Sequence, residues 1–70
     1  MFDKWSQYSY VSRQVGERVV YYYVLEVCDS FARISRVRPD GQLDERVVEV
    51  MPADYHHYSL EPLLSYERIA

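Results

Sequence analysis

Arg36-Val37-Arg38-Pro39-Asp40-Gly41-Gln42-Leu43-Asp44 is the stretch whose reading decides the fold. Proline presets the φ wanted at the first central position of a type I turn, and aspartate suits the second. Glycine accepts the left-handed conformation that follows, which makes a bulged three-residue hairpin loop. That loop sets Arg38 against Gln42, Val37 against Leu43 and Arg36 against Asp44. The last would be a cross-strand ion pair, worth about 0.2–1 kcal/mol. A two-residue loop at Asp40-Gly41 would instead pair Arg36 with Glu45; proline at its position favours the first geometry.

Strand formers flank the turn on both sides. Residues 31–37 lead into it, and residues 43–51 leave it with Val47, Val48 and Val50 near the centre. Pro52 ends that strand because it has no N–H for a ladder. Before Asp29-Ser30, the run Arg18-Val19-Val20-Tyr21-Tyr22-Tyr23-Val24-Leu25-Glu26-Val27-Cys28 is built from β-branched and aromatic residues, a poor helix and a good strand. It is apolar on both faces up to Glu26, so cover on both faces is expected. Upstream, residues 8–12 alternate weakly, and Val15-Gly16-Glu17 can turn them into the long strand. The C-terminus admits two readings. Ser59-Leu60-Glu61-Pro62 has the composition of a helix start, with Leu60, Leu63, Leu64 and Ile69 lining one side. Alternatively a 3₁₀ turn over residues 60–63 leads into a final strand at 65–69. The fold class expected is mainly β, a small antiparallel sheet or SH3-like barrel of four to five strands, with or without a short C-terminal helix.

Seventy residues, 49% of them hydrophobic and 16% aromatic, form one domain with a small core. The eight tyrosines, Trp5, Phe2 and Phe31 are its source of packing. A single cysteine, Cys28, forms no internal disulfide, which points to a reducing, cytoplasmic setting. The first five residues lack the basic and apolar regions of a signal peptide. The longest apolar run, residues 19–27, is broken by Glu26 and far short of a membrane span. A net charge of −3 is not the footprint of a general nucleic-acid binder, although Arg33, Arg36 and Arg38 sit within six residues of one another.

With these elements placed, residues 15–64 resemble a Tudor-type, SH3-like barrel. Val15-Gly16-Glu17-Arg18-Val19 is similar to the Gly-acidic-x-Val opening of such barrels. Phe31-Ala32-Arg33-Ile34 followed by Val37 and Asp40-Gly41 resembles their aromatic-x-Ala-x-Val strand and hairpin. Residues 47–55 look like the next strand leading into an Asp-Tyr pair, and residues 59–63 like the closing segment. The glycine that normally follows the Asp-Tyr pair is His56 here, followed by His57. The resemblance implies an aromatic cage for methylated lysine or arginine, in which Phe31 and Tyr55 match cage positions.

No catalytic, metal or cofactor site is expected. Adjacent histidines His56 and His57 on an extended segment point apart and make a poor metal site. The serines sit in no nucleophile motif, and two isolated glycines cannot cradle a phosphate. The binding candidates are Tyr21, Tyr22, Tyr23, Phe31, Arg33, Arg36, Arg38 and Tyr55, because tyrosine and arginine are enriched in interface hot spots. Three consecutive tyrosines on a strand cannot share a face, so Tyr21 or Tyr23 lies opposite Tyr22. The function expected is a non-catalytic module that binds a protein partner through a Tyr/Arg-rich face, such as an adaptor, a complex subunit or a small inhibitor. The alternatives are a barrel that binds RNA or single-stranded nucleic acid, and a methylated-peptide reader. Homo-oligomerisation through a strand edge is compatible with all three.

Overall fold

The computed structural model describes residues 2, 4–7 and 9–61. Five antiparallel strands form one sheet: β1 (Tyr10–Val15), β2 (Arg18–Val27), β3 (Ala32–Val37), β4 (Leu43–Val50) and β5 (Tyr58–Leu60). A 3₁₀ helix, Pro52–His57, joins the last two. The spatial order is β4-β3-β2-β1-β5, a four-strand meander whose final strand returns to β1. Among the described residues the sheet does not close. Among the described residues no helix is long and apolar enough to cross a membrane.

Turn chemistry sets the registers. Val15 pairs with Arg18, leaving Gly16-Glu17 as a two-residue loop, with Gly16 at a φ of 61° that side-chain-bearing residues rarely adopt. At the β3–β4 hairpin the Gly41 N–H donates to the Arg38 carbonyl at 2.8 Å, and the Arg38 N–H donates to the Gln42 carbonyl at 2.8 Å. Gly41 has a φ of 86°, and the Asp40 carboxylate accepts from the Gln42 N–H at 2.9 Å. This is the bulged three-residue loop expected from Pro39-Asp40-Gly41, and Val37 does pair with Leu43.

The register then shifts. The next pair is Ser35 with Val47, so Arg36 alone opposes the three residues Asp44, Glu45 and Arg46. This double insertion on β4 removes the expected Arg36–Asp44 pairing. Asp44 bonds elsewhere: its carbonyl accepts from Ser35 Oγ of β3 at 2.6 Å, and its carboxylate accepts from the Arg46 N–H of its own strand at 3.1 Å. A second bulge leaves Leu25 unpaired between Val24↔Ile34 and Glu26↔Arg33. Bulges increase twist and bend a strand, which curls the sheet around its core.

Alternation assigns the faces. Val11, Val24, Ala32, Ile34 and Val50 point inward and are buried. Phe2 and Trp5 from the N-terminal segment cover them, with Tyr22, Val27, Val48, Tyr55, Tyr58 and Leu60 packed around the margin. The 3₁₀ helix supplies Tyr55 to this cover, although residues 52–57 are without apolar periodicity in the sequence. The expected cover of β2 on both faces does not hold: Val24 is its one fully buried residue, and Val19 is exposed. Ser59 is the middle residue of β5 rather than a helix cap. The rest of the C-terminal helix or strand reading falls on residues 62–70, outside the described residues.

Ile34→Ala should cost about 2–5 kcal/mol by urea unfolding, since Ile34 is fully enclosed. Val47→Ala, on a half-exposed position, should stay within about 0.5 kcal/mol. Equal losses at the two sites would mean that the faces are assigned wrongly.

Candidate functional site

The sheet presents two surfaces beyond its core. The outer face carries the other half of the alternation. Tyr10 lies opposite Tyr23, which lies opposite Ser35, which lies opposite Val47; Ser12 lies opposite Tyr21. The Tyr10 and Tyr23 rings meet at 5.1 Å between centroids, tilted by 56°, within the range of favourable aromatic pairs. The small side chains of Ser12 and Ser35 leave room beneath such rings and are themselves buried. Their hydroxyls are satisfied, Ser12 Oγ donating to Glu61 Oε1 at 2.9 Å and Ser35 Oγ to the Asp44 carbonyl at 2.6 Å. Around the tyrosines Val19 is 49% exposed, Val47 50% and Leu43 37%. A hollow of about 330 Å³ lies between Tyr10, Tyr23, Gly41 and Leu43.

Arg33 closes one end of this face. Its guanidinium donates to Glu26 at 2.8 Å, lies 3.6 Å from Glu49 and sits over the Phe31 ring at 5.0 Å. Both carboxylates come from the strands that flank β3, in register with Arg33. All three side chains are about half exposed, so each pair is worth at most about 1 kcal/mol. The cluster orders the face more than it stabilises the fold.

The second surface continues the core side past Tyr22 toward the β1–β2 turn. Val15 pairs with Arg18, Arg13 with Val20, and Tyr22 with Arg36. An open hollow of about 260 Å³ is lined by Val15, Arg18, Val20, Tyr22 and Arg36. A smaller one of about 150 Å³ at the end of β2 and β3 adds Arg38 and Pro39. Arg13 lies over the Tyr58 ring at 5.4 Å and donates to the Tyr58 hydroxyl at 3.4 Å. The Tyr58 hydroxyl holds the guanidinium of Arg13 above its ordinary value. The ion pairs among the described residues all involve Arg33, so Arg18, Arg36 and Arg38 have no carboxylate partner there. Arg36 Nε is buried without a hydrogen-bond acceptor among the described residues.

Among the described residues the aromatic rings do not form a cage. Phe2, Trp5 and Tyr55 meet one another at 5.3–5.5 Å, and Trp5 and Tyr22 each meet Tyr58 edge-on at 5.8 and 5.7 Å. These distances are ring-to-ring contact, which leaves no cation-sized hollow. Tyr55 belongs to this cluster and Phe31 to the Arg33 cluster, so the two cage positions implied by the resemblance serve different neighbours. His56 and His57 stack at 4.1 Å on the 3₁₀ helix rather than diverging on an extended segment. Among the described residues no group of three or more His, Cys, Asp or Glu could hold a metal ion. Cys28 is a free, half-buried residue in the β2–β3 turn, its N–H donating to the Phe31 carbonyl at 2.8 Å.

The eight candidate residues therefore divide. Tyr21, Tyr23 and Arg33 lie on the outer face, with Phe31 beside Arg33. Tyr22 and Arg36 lie on the core side, Arg38 at the hairpin base, and Tyr55 in the aromatic cover. Tyr10, Val19, Val47 and Arg18 complete the two surfaces and were not among the candidates. The signal for Tyr10, Val19 and Arg18 was present: the Gly16-Glu17 loop fixes Tyr10 opposite Tyr23 once read as a two-residue turn.

Burial raises the Tyr22 phenol above its ordinary value of 10.0, with Tyr58 adding to the shift and Arg13 and Arg36 opposing it. A raised folded-state value contributes stability while the phenol is neutral, and that contribution is lost as pH rises through it. The melting temperature should therefore fall above the ordinary phenol value of 10.0, and Tyr22→Phe should flatten the fall. Identical alkaline slopes in the two proteins would contradict the assignment.

Compared with known proteins, the chain matches no family model, no curated protein and no solved structure.

Proposed function

We propose that this domain is a non-catalytic interaction module that binds a protein partner through the outer face of its sheet. One observation carries the reading: Val19, Leu43 and Val47 are exposed on the face that also presents Tyr10, Tyr21 and Tyr23. Contiguous apolar and aromatic surface on a small domain marks an interaction site, and tyrosines gain much by burial because the ring is apolar and the hydroxyl can stay wet. The Arg33–Glu26–Glu49 cluster supplies a polar rim at one end, the usual arrangement at the margin of such an interface. Lateral pairing through β4 is a weaker route, because that edge carries Asp44, Glu45, Arg46 and Glu49 and a wide bulge, devices that blunt strand edges.

Relationship to SH3-like barrels remains part of this proposal. A four-strand meander, a 3₁₀ turn and a short last strand returning to β1 support it. The open sheet does not add to it, and the methylated-peptide reading draws no support from the packed rings of Tyr55. A reducing cytoplasmic location is proposed from the single, free Cys28.

The test compares what the tagged protein recovers from its native host with what a Val19→Asp/Val47→Asp variant recovers, after nuclease treatment of both. Loss of a protein from the variant alone is the expected result, with an unchanged circular dichroism spectrum showing that the fold survives. An identical set of recovered proteins would reject the outer face as the binding surface.

A further inference from the structure

On the opposite side of the sheet, we propose a second binding site, for an acidic peptide segment, in the hollow bounded by Val15, Arg18, Val20, Tyr22 and Arg36. This site is separate from the outer face, so its failure leaves the reading above untouched. Two cationic groups and three apolar walls converge on a hollow of about 260 Å³. Arg18 and Arg36 come from different strands and have no carboxylate partner among the described residues. Arg36 is half-buried against Tyr22, and its Nε is shut away from solvent without an acceptor among the described residues. A partly desolvated, unpaired guanidinium is the kind of cation that a carboxylate compensates, and its planar fork suits a carboxylate's two oxygens. Arg13 stands next in the row, held over Tyr58, and widens the positive rim.

The ligand chemistry follows from the walls. Val15 is 51% exposed beside the arginines, and Val20 and the Tyr22 ring form the floor. A carboxylate carried next to an aliphatic side chain would fill both parts at once. A nucleic-acid strand is served less well. Phosphate backbones are held by extended tracks of cations with bases stacked on open aromatic faces. Here the arginines are confined to one end of a domain of net charge −3, and Tyr22 packs edge-on against Tyr58 at 5.7 Å.

The experiment is a ¹H–¹⁵N titration of the full chain with a short blocked peptide alternating Glu and Leu. Its Gln-Leu counterpart and a single-stranded oligothymidine are run beside it. Saturable shifts centred on the amides of residues 15, 18, 20, 22 and 36 are expected with the Glu-Leu peptide and not with the Gln-Leu one. Arg18→Gln, at an exposed position that leaves the core intact, should weaken binding about tenfold or more, and Arg36→Gln should do the same. Lys4→Gln, outside the lining of the hollow, should leave it unchanged. Absence of saturation, shifts centred on the outer-face residues 19, 23 and 47, equal binding of the Gln-Leu peptide, or tighter binding of the oligothymidine would each overturn the proposal.

Discussion

Val24 and Ile34 are cross-strand partners at the middle of β2 and β3, and neither has any exposed surface. Every other assignment of side follows from that pair. Alternation along β2 then sends Tyr22 inward and Tyr21 and Tyr23 outward, and antiparallel pairing passes the choice to β1, β4 and β5. Slipping β2 by one residue would bury Tyr23 and expose Val24, and slipping β3 would bury Arg33 and expose Ile34. Full burial of such a side chain contributes roughly 1.5–3 kcal/mol, so the register is held by the core rather than by backbone pairing alone.

The two bulges adapt this register to a curved sheet with few residues. At Leu25 the extra residue moves Glu26 into line with Arg33, which permits the Glu26–Arg33–Glu49 row. On β4 the three residues opposite Arg36 break the regular pairing there, and Arg36, in register with Tyr22 on its other side, forms no ion pair with Asp44 or Glu45. The positive hollow on the core side and the neutralised rim on the outer side thus arise from the same cause. Irregular pairing decides which arginine finds a partner.

Much of the architecture was legible in the sequence, and the exceptions have physical reasons. Pro39-Asp40-Gly41 dictated its own loop, since local φ preferences determine a three-residue turn. The run of valines and tyrosines in β2 marked a strand, and the tyrosine triplet required opposite faces. The β4 insertion was not legible, because Asp44-Glu45-Arg46 reads equally well as regular strand and is looped out only by the need to place Val48 and Val50 against Ile34 and Ala32. The 3₁₀ helix was hidden for the same reason: Tyr55 is drawn in by Phe2 and Trp5, which lie some fifty residues away in sequence. The candidate site could be named from the sequence only as residue types, tyrosines and arginines, and not as a surface. Which of them share a face depends on two registers that tertiary packing sets.

A soluble paramagnetic probe, read on methyl resonances of the free protein, tests the central claim that the sheet has one filled face and one open apolar face. Methyl signals of Val19, Leu43 and Val47 should broaden strongly, while those of Val11, Val24 and Ile34 stay sharp. Protection of Val19 and Val47 to the level of Val24 would contradict the account, because it would mean that the outer face is already buried in the free protein.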